Sequence, residues 1–318
     1  MGQIDCQHVG AVLDAVHSAR SAALSPIAAS WCRSALHHGL DPANDHKPER
    51  IDQRALAALR EEQHSLLAVA GPVLDRLFRQ VGRSGCGVLL SDAHGTILER
   101  RTNDGDVAGF DSVGLAPGGR WSESAEGTNG IGTCLFEDKP VIIHRNQHFA
   151  SRNIGISCMD APIHAPNGRL LAALDISSCR DDHTLPLADM IALLVQETAR
   201  TIERDLFCRH YAGARILYVA EEPTGGTALL AVDRDDMVIG ASRGARLRLR
   251  LDDRTLAQPR PLADLLGDAT DASFHDGERA VLRRALAQAD GNASLAARRL
   301  GIGRATLYRR LKRTGLLN

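Results

Sequence analysis

Arg304, Thr306, Tyr308, Arg309, Arg310 and Lys312 crowd into one short stretch near the C-terminus. Guanidinium and ammonium groups neutralise phosphates, and the forked donors of arginine also match the acceptor edge of guanine. The surrounding segment, Asp276 to Asn318, holds ten bases against three acids, a formal +7, while the whole chain is −1 and residues 1–275 therefore carry −8. Positive charge gathered at one end of a near-neutral chain implies a polyanion-binding module joined to a part that does not touch the polyanion. That is the layout of a regulator.

A second group of candidates surrounds the run Gly127-Thr-Asn-Gly-Ile-Gly-Thr133. Glycines let a backbone turn closely against a sheet or a ligand, and Trp121, Glu123, Thr128 and Asn129, with Asp175 further on, would line a small polar effector pocket. The competing reading is a turn that only shapes the backbone. The run lacks the G-x-G-x-x-G spacing of a dinucleotide site. His144, His148, Cys158 and His164 fall on neighbouring expected strands and loops, but their separations carry no ligand signature, so neither a metal nor a cofactor is expected. Cys134 and Cys158 as redox sensors form a further alternative. The lysines are Lys47, Lys139 and Lys312, none in a Gly-Lys-Ser/Thr context. A P-loop ATPase is thereby excluded, no hydrolase motif stands in its place, and an enzyme is not expected.

The basic candidates need a rigid frame. Val281, Leu282, Ala285, Leu286 and Ala289 recur at helical spacing and stop at Asp290-Gly291. Asn292 is placed to cap a second helix with Leu295, Ala296 and Leu300 inward, and Gly301 ends it. A third helix, Arg304–Thr314, buries Leu307 and Leu311 and leaves the six candidates outward. Two short helices joined by a glycine turn, the second studded with arginine, fit a major-groove recognition unit. The alternative is a basic helix pair that merely packs. The string from Asn292 to Leu317 closely resembles the DNA-binding domain of the factor for inversion stimulation and of the bacterial activators that end in it. That resemblance implies base contacts from Arg304 and Thr306 and phosphate contacts from Arg309, Arg310 and Lys312, with Gly303 replacing the polar residue often found at the helix start.

The rest of the chain is ordinary for a soluble protein, with 44% apolar and 24% charged residues. No apolar run approaches the ~20 residues of a membrane span, and Met1-Gly-Gln-Ile-Asp lacks the features of a signal peptide, so a cytoplasmic location with no membrane contact is expected. Seven scattered cysteines fit neither a disulfide framework nor a zinc ribbon, and most are expected to be small buried residues. Residues 1–80 read as helical, with a break at Gly39-Leu-Asp-Pro42 and a bend or restart of the second run at Gly71-Pro72. A period-two pattern then marks strands at 87–91, 96–100, 140–144, 157–164 and 169–176, and a long helix begins at Pro186 with Leu187, Met190, Ile191, Leu194, Val195, Thr198 and Ile202 on one face. The order is that of an α+β domain, an antiparallel sheet with helices to one side.

Trp121 through Thr133, Gln147-His-Phe149, Ser157-Cys158, Ala161-Pro-Ile163 and Gly168 through Asp175 resemble the GAF domain of the acetoin-catabolism regulators. Ser30-Trp-Cys-Arg-Ser34 and Gly39-Leu-Asp-Pro42 are similar to that family's N-terminal helical segment. Members usually carry an ATPase acting on the sigma-54 polymerase between sensor and DNA-binding domain. Here Gly226 to Asp233, Met237 to Ser242 and a helix near Ala245 resemble instead the opening of a PAS domain, either truncated or serving as a dimerising spacer. The expected organisation is an N-terminal helical segment (1–80), a GAF sensor (81–206), a PAS-like module (207–272) and an all-α Fis-type helix-turn-helix (276–318). The expected function is effector-controlled transcription regulation by a homodimer on an inverted-repeat operator of double-stranded DNA, in contact with RNA polymerase but without ATP-driven remodelling. A metal or redox sensor, or a constitutive architectural protein with a structural GAF domain, is the alternative.

Overall fold

The computed structural model describes residues 5–18, 20–46, 48–222, 226–258, 260–266 and 274–317. Residues 1–4 and Lys47, used above, and the 267–272 end of the third segment lie outside them. The chain forms two units, Met1–Pro259 and Arg260–Asn318.

The first unit is built on strands β1 (Cys86–Asp92), β2 (Ile97–Arg101), β3 (Val141–His144), β4 (Ser157–His164) and β5 (Leu170–Ser178) in the order β2-β1-β5-β4-β3. All neighbours are antiparallel. Every residue of β1 and β4 is buried, so both sheet faces must be covered. Val88, Leu90, Met159, Ala161, Leu174 and Ile176 pack on one face against the helices His64–Val81 and Leu185–His210. The alternating residues Leu89, Cys158 and Ala173 pack on the other against Phe110, Leu115, Trp121 and Ile131. Helices were expected on one side only; the burial of the inner strands on both faces requires the second layer.

Two local expectations shift for the same reason, the dominance of packing over local signals. Pro72 lies inside the helix His64–Val81, which begins after Gln63, because Leu66, Ala70, Val73, Leu74 and Leu77 hold it to the sheet across the missing N–H. In the helix Leu185–His210 the buried stripe is Ala188, Ile191, Ala192, Val195, Thr198, Ala199 and Ile202, which leaves Met190 on the outer flank at 71% exposure.

Three further strands follow: β6 (Arg215–Glu222), β7 (Gly226–Val232) and β8 (Met237–Ala241), paired β6-β7-β8, with the helix Arg243–Leu249 capped by Ser242. Strand β6 was not foreseen. This small sheet seats on the end of the long helix, where Phe207 and Tyr211 meet Leu229, Ala231 and Ile216.

In the second unit, after a short helix at Leu262–Leu266, the helices Phe274–Gln288, Ala293–Arg299 and Arg304–Arg313 pack around a core of Leu282, Ala285, Ala289, Ala296, Ala297, Leu307 and Leu311. Asn292 caps the middle helix by accepting from the amides of Ser294 and Leu295. Gly301, at φ +65°, makes the turn that a side chain would strain. Val281, counted above among the inward positions, faces out.

Candidate functional site

On the second face of the large sheet, the hairpin register sets Asp160 of β4 directly opposite Asp175 of β5, and Cys158 opposite Ser177. All four are buried. Ser177 Oγ lies 2.9 and 2.8 Å from the two oxygens of Asp175 and 3.2 Å from Cys158 Sγ. Beyond its contact with Asp175, neither oxygen of Asp160 has a hydrogen-bond partner among the described residues. Burial raises both carboxyls, Asp160 further through the charge of Asp175, and Asp175 rises to about 7. Like charges held side by side in an apolar interior do not both ionise, so the pair keeps a proton near neutral pH. Asp160 is thereby left with hydrogen-bonding capacity that no other described group satisfies.

The glycine-rich run closes over this pair. A Cβ at Gly130 would overlap Asp160 Oδ2, so only glycine lets the helix Gly130–Glu137 approach the carboxylate. Asn129 caps that helix, its Oδ1 accepting from Gly132 N at 2.8 Å while its amide donates to Gly127 O at 2.8 Å. Trp121 is buried, its indole N–H donating to Gly114 O. Glu123 and Thr128 turn to the N-terminal helices: Ser30 Oγ is 3.0 Å from Glu123 Oε2 and 2.7 Å from Thr128 Oγ1, and Arg33 forks onto Glu123 at 2.5 and 2.9 Å. Of the five effector candidates, Asp175 is half of the carboxylate pair and Asn129 caps the helix above it, while Trp121, Glu123 and Thr128 bond to other elements. Glu123 alone among them borders open space, a cleft of about 590 Å³ that His38, Arg120 and Ser124 also line. Asp160, Ser30 and Arg33 were missed as site residues.

The scattered histidines and cysteines do not converge. His144 Nδ1 is 2.8 Å from Ser157 Oγ, whereas His148 Nδ1 donates to Arg145 O at 2.9 Å and leaves Nε2 to accept from the Cys158 thiol at 3.4 Å. Burial drives His148 down to about 4, so its ring is neutral. Burial also holds Cys134 and Cys158 well above the ordinary thiol range, in the unreactive protonated form. Cys86, Cys134 and Cys158 are the buried cysteines; Cys6 and Cys208 are exposed, contrary to the burial expected for most of the seven. Among the described residues no group of three or more His, Cys, Asp or Glu is placed to hold a metal.

His164 belongs elsewhere. Its Nδ1 is 2.6 Å from Glu203 of the long helix and its Nε2 is 2.7 Å from Asp138, the left-handed residue that ends the helix Gly130–Glu137. Asp138 also takes a hydrogen bond from Arg243, at the start of the small module's helix. This joint therefore ties the far end of the helix over the carboxylate pair to the β6-β7-β8 module.

In the second unit, Arg304, Tyr308, Arg309, Arg310 and Lys312 are exposed, while Thr306 is half-buried. The Arg304 guanidinium stands 5.6 Å from the centre of the Tyr308 ring. Arg310 is shared: with Arg313 it flanks Glu278 of the first helix, at 3.1 and 2.5 Å. Arg304, Tyr308, Arg309 and Lys312 form the outward face.

Comparison with known proteins agrees with this division. Residues 65–206 match the GAF domain, and residues 274–313 match the bacterial regulatory protein, Fis family. The chain is 30% identical over 224 residues to the acetoin catabolism regulatory protein of Cupriavidus necator, covering 69% of this chain and 34% of that protein. It is 31% identical over 175 residues to MimR of Mycolicibacterium smegmatis, a propane 2-monooxygenase operon transcriptional activator, covering 54% and 28%. The chain thus spans about a third of the length of these relatives. A solved E. coli DhaR(N)–DhaL complex shares the fold at a TM-score of 0.53 and 18% identity, over 76% of this chain and 82% of that one.

Proposed function

We propose, from the premise that one chain carries a GAF domain and a Fis-type helix-turn-helix, that it is an effector-controlled transcription regulator. The observation that carries the sensing half is the buried Asp160–Asp175 pair, whose free acceptors lie under a glycine-lined helix. A small molecule with hydrogen-bond donors satisfies those oxygens, and the helix Gly130–Glu137 adjusts to it. Asp138 passes that adjustment to Arg243 and the small module. The recognition helix then reads DNA, with Arg304 at base edges and Arg309 and Lys312 on phosphates.

Two copies on an inverted repeat are the natural assembly for a unit that reads one half-site, with RNA polymerase met by contact and without ATP-driven remodelling. The names of the relatives support activation. Burial of the Cys134 and Cys158 thiols speaks against their acting as redox sensors.

The test is a thermal-shift screen of small alcohols, diols, ketones and aromatic metabolites, followed by operator affinity with and without each hit. A saturable ligand that shifts operator affinity, by typically ~1–3 kcal/mol, supports the reading. A screen in which ligands stabilise the protein but never alter DNA affinity leaves a structural GAF domain on an architectural DNA-binding protein.

A further inference from the structure

Glu278 is the acid that two arginines of the recognition helix share, and its side chain is only 6% exposed. Helical spacing explains the geometry. With Leu307 and Leu311 buried, Arg310 and Arg313 fall three residues apart on the flank that faces the helix Phe274–Gln288, whereas Arg304, Tyr308 and Lys312 lie four apart on the outward side. Arg313 Nη2 donates to Glu278 Oε2 at 2.5 Å, and Arg310 Nη1 lies 3.1 Å from Oε1.

The geometry points to Glu278 as a specificity-determining residue: it holds Arg310 and Arg313 off the DNA backbone and so lowers affinity for random sequence. Non-specific binding comes almost wholly from neutralised phosphates, each contributing to the salt dependence of binding. The segment that carries this helix holds ten bases, and every one left free adds affinity that does not depend on sequence. Discrimination is the ratio of specific to random binding, so withholding two cations from phosphate raises it even though total affinity falls. A carboxylate seated between two guanidiniums does this without removing the arginines, whose stems continue to pack along the helix pair. The inference rests on DNA binding by this unit and is independent of any effector.

The experiment compares full-length wild type, Glu278→Gln, Arg310→Gln/Arg313→Gln and the triple variant. Binding is measured by anisotropy on a random-sequence duplex and on a duplex selected from a random library by the wild type, across a salt series. Glu278→Gln, nearly the same in shape, is expected to tighten random-duplex binding several-fold and to steepen the salt dependence by about one to two units, at ~0.9 per added phosphate. The ratio of specific to random affinity falls. In the wild-type background the double arginine substitution changes the salt slope little; in the Glu278→Gln background it removes the whole increment. A merely structural acid would instead give weaker binding to both duplexes and an unchanged slope, and that result overturns the proposal. So does a full loss of slope when the two arginines are removed with Glu278 in place, a measurement that holds even if Glu278→Gln folds poorly.

Discussion

In the first unit the charged side chains around the candidate site are buried and answer to one another across separate elements, whereas in the C-terminal unit nearly all the charge sits on the outside of a few adjacent turns. Arg33, Ser30, Glu123 and Thr128 come from helices and loops some ninety residues apart, and Asp160 meets Asp175 only through strand pairing. Arg304, Arg309 and Lys312 come from one helix. In the proposed reading the first arrangement answers to a ligand in its own interior, and the second presents its basic face to an external polyanion. Substitutions in the first should therefore be felt in stability and pH response, and those in the second in salt dependence and discrimination.

The sharpest break of that contrast is Arg33→Ala. The Glu123 side chain is 3% exposed and that of Arg33 17%, so removing the arginine leaves a buried acid with the Ser30 hydroxyl and, at 4.0 Å, His38 as its remaining partners from the N-terminal helices. Breaking a buried pair from one side costs roughly 3–5 kcal/mol. Urea unfolding is expected to show a loss of that size, and Arg309→Ala, on the exposed side of its helix, almost none. A loss under about 1 kcal/mol for Arg33→Ala, within the range of an exposed pair, would show that solvent already shares the site.

How much of each region was legible follows from how it is assembled. The recognition unit could be read because cap, turn glycine, buried leucines and basic face all lie within one local stretch. The sensor strands were equally plain, since alternation marks them. Asp160 was overlooked for a physical reason: the β4–β5 register shifts between Ile163 and His164, so counting outward from the turn at Pro166-Asn-Gly168 sets Asp160 opposite Leu174, and only past that irregularity does it face Asp175. Ser30 and Arg33 left no signal, because nothing local records that an N-terminal helix will dock on a loop far along the chain. Glu278 went unremarked for a related reason. It was counted as one acid among ten bases, and only the packing of the first helix on the third shows which bases it engages.

The carboxylate pair makes a pH-dependent version of the same comparison. Folded Asp175 keeps its proton up to about 7, whereas an unfolded aspartate releases it near ~3.9. Between those values the unfolded chain has lost a proton that the folded chain retains, so the contribution to stability is complete below about pH 4 and is lost as pH rises toward 7. Asp175→Asn still accepts from Ser177 and offers Asp160 a neutral donor. It is expected to gain on the order of 2 kcal/mol over wild type at pH 7 and little at pH 4. Denaturant titrations from pH 4 to 8 measure this directly. A gain of equal size at both ends would mean that the pair is not titrating and the substitution merely repacks the core.

The smallest expected effect tests whether the interior of the sensor domain is wired to the small module. Burial pulls the Asp138 carboxyl upward, but hydrogen bonds from Arg243 and His164, together with their charges, hold it below the ordinary range. Asp138 is 38% exposed, so solvent screens much of that attraction and the pair is worth about 1 kcal/mol. The module has a second, apolar anchor at Phe207 and Tyr211, which survives loss of the ion pair. Asp138→Arg or Arg243→Asp alone should therefore leave the chain folded while amide exchange in β7 and β8 speeds up several-fold. The double swap restores an opposite-charge contact, although His164 then faces arginine and Glu203 becomes its remaining carboxylate partner. Slower exchange in the double variant than in either single one is the signature of direct coupling between Asp138 and Arg243. Exchange that adds up without recovery would assign the module's attachment to the apolar anchor, and the helix Gly130–Glu137 would then end at Asp138 with nothing to pull on.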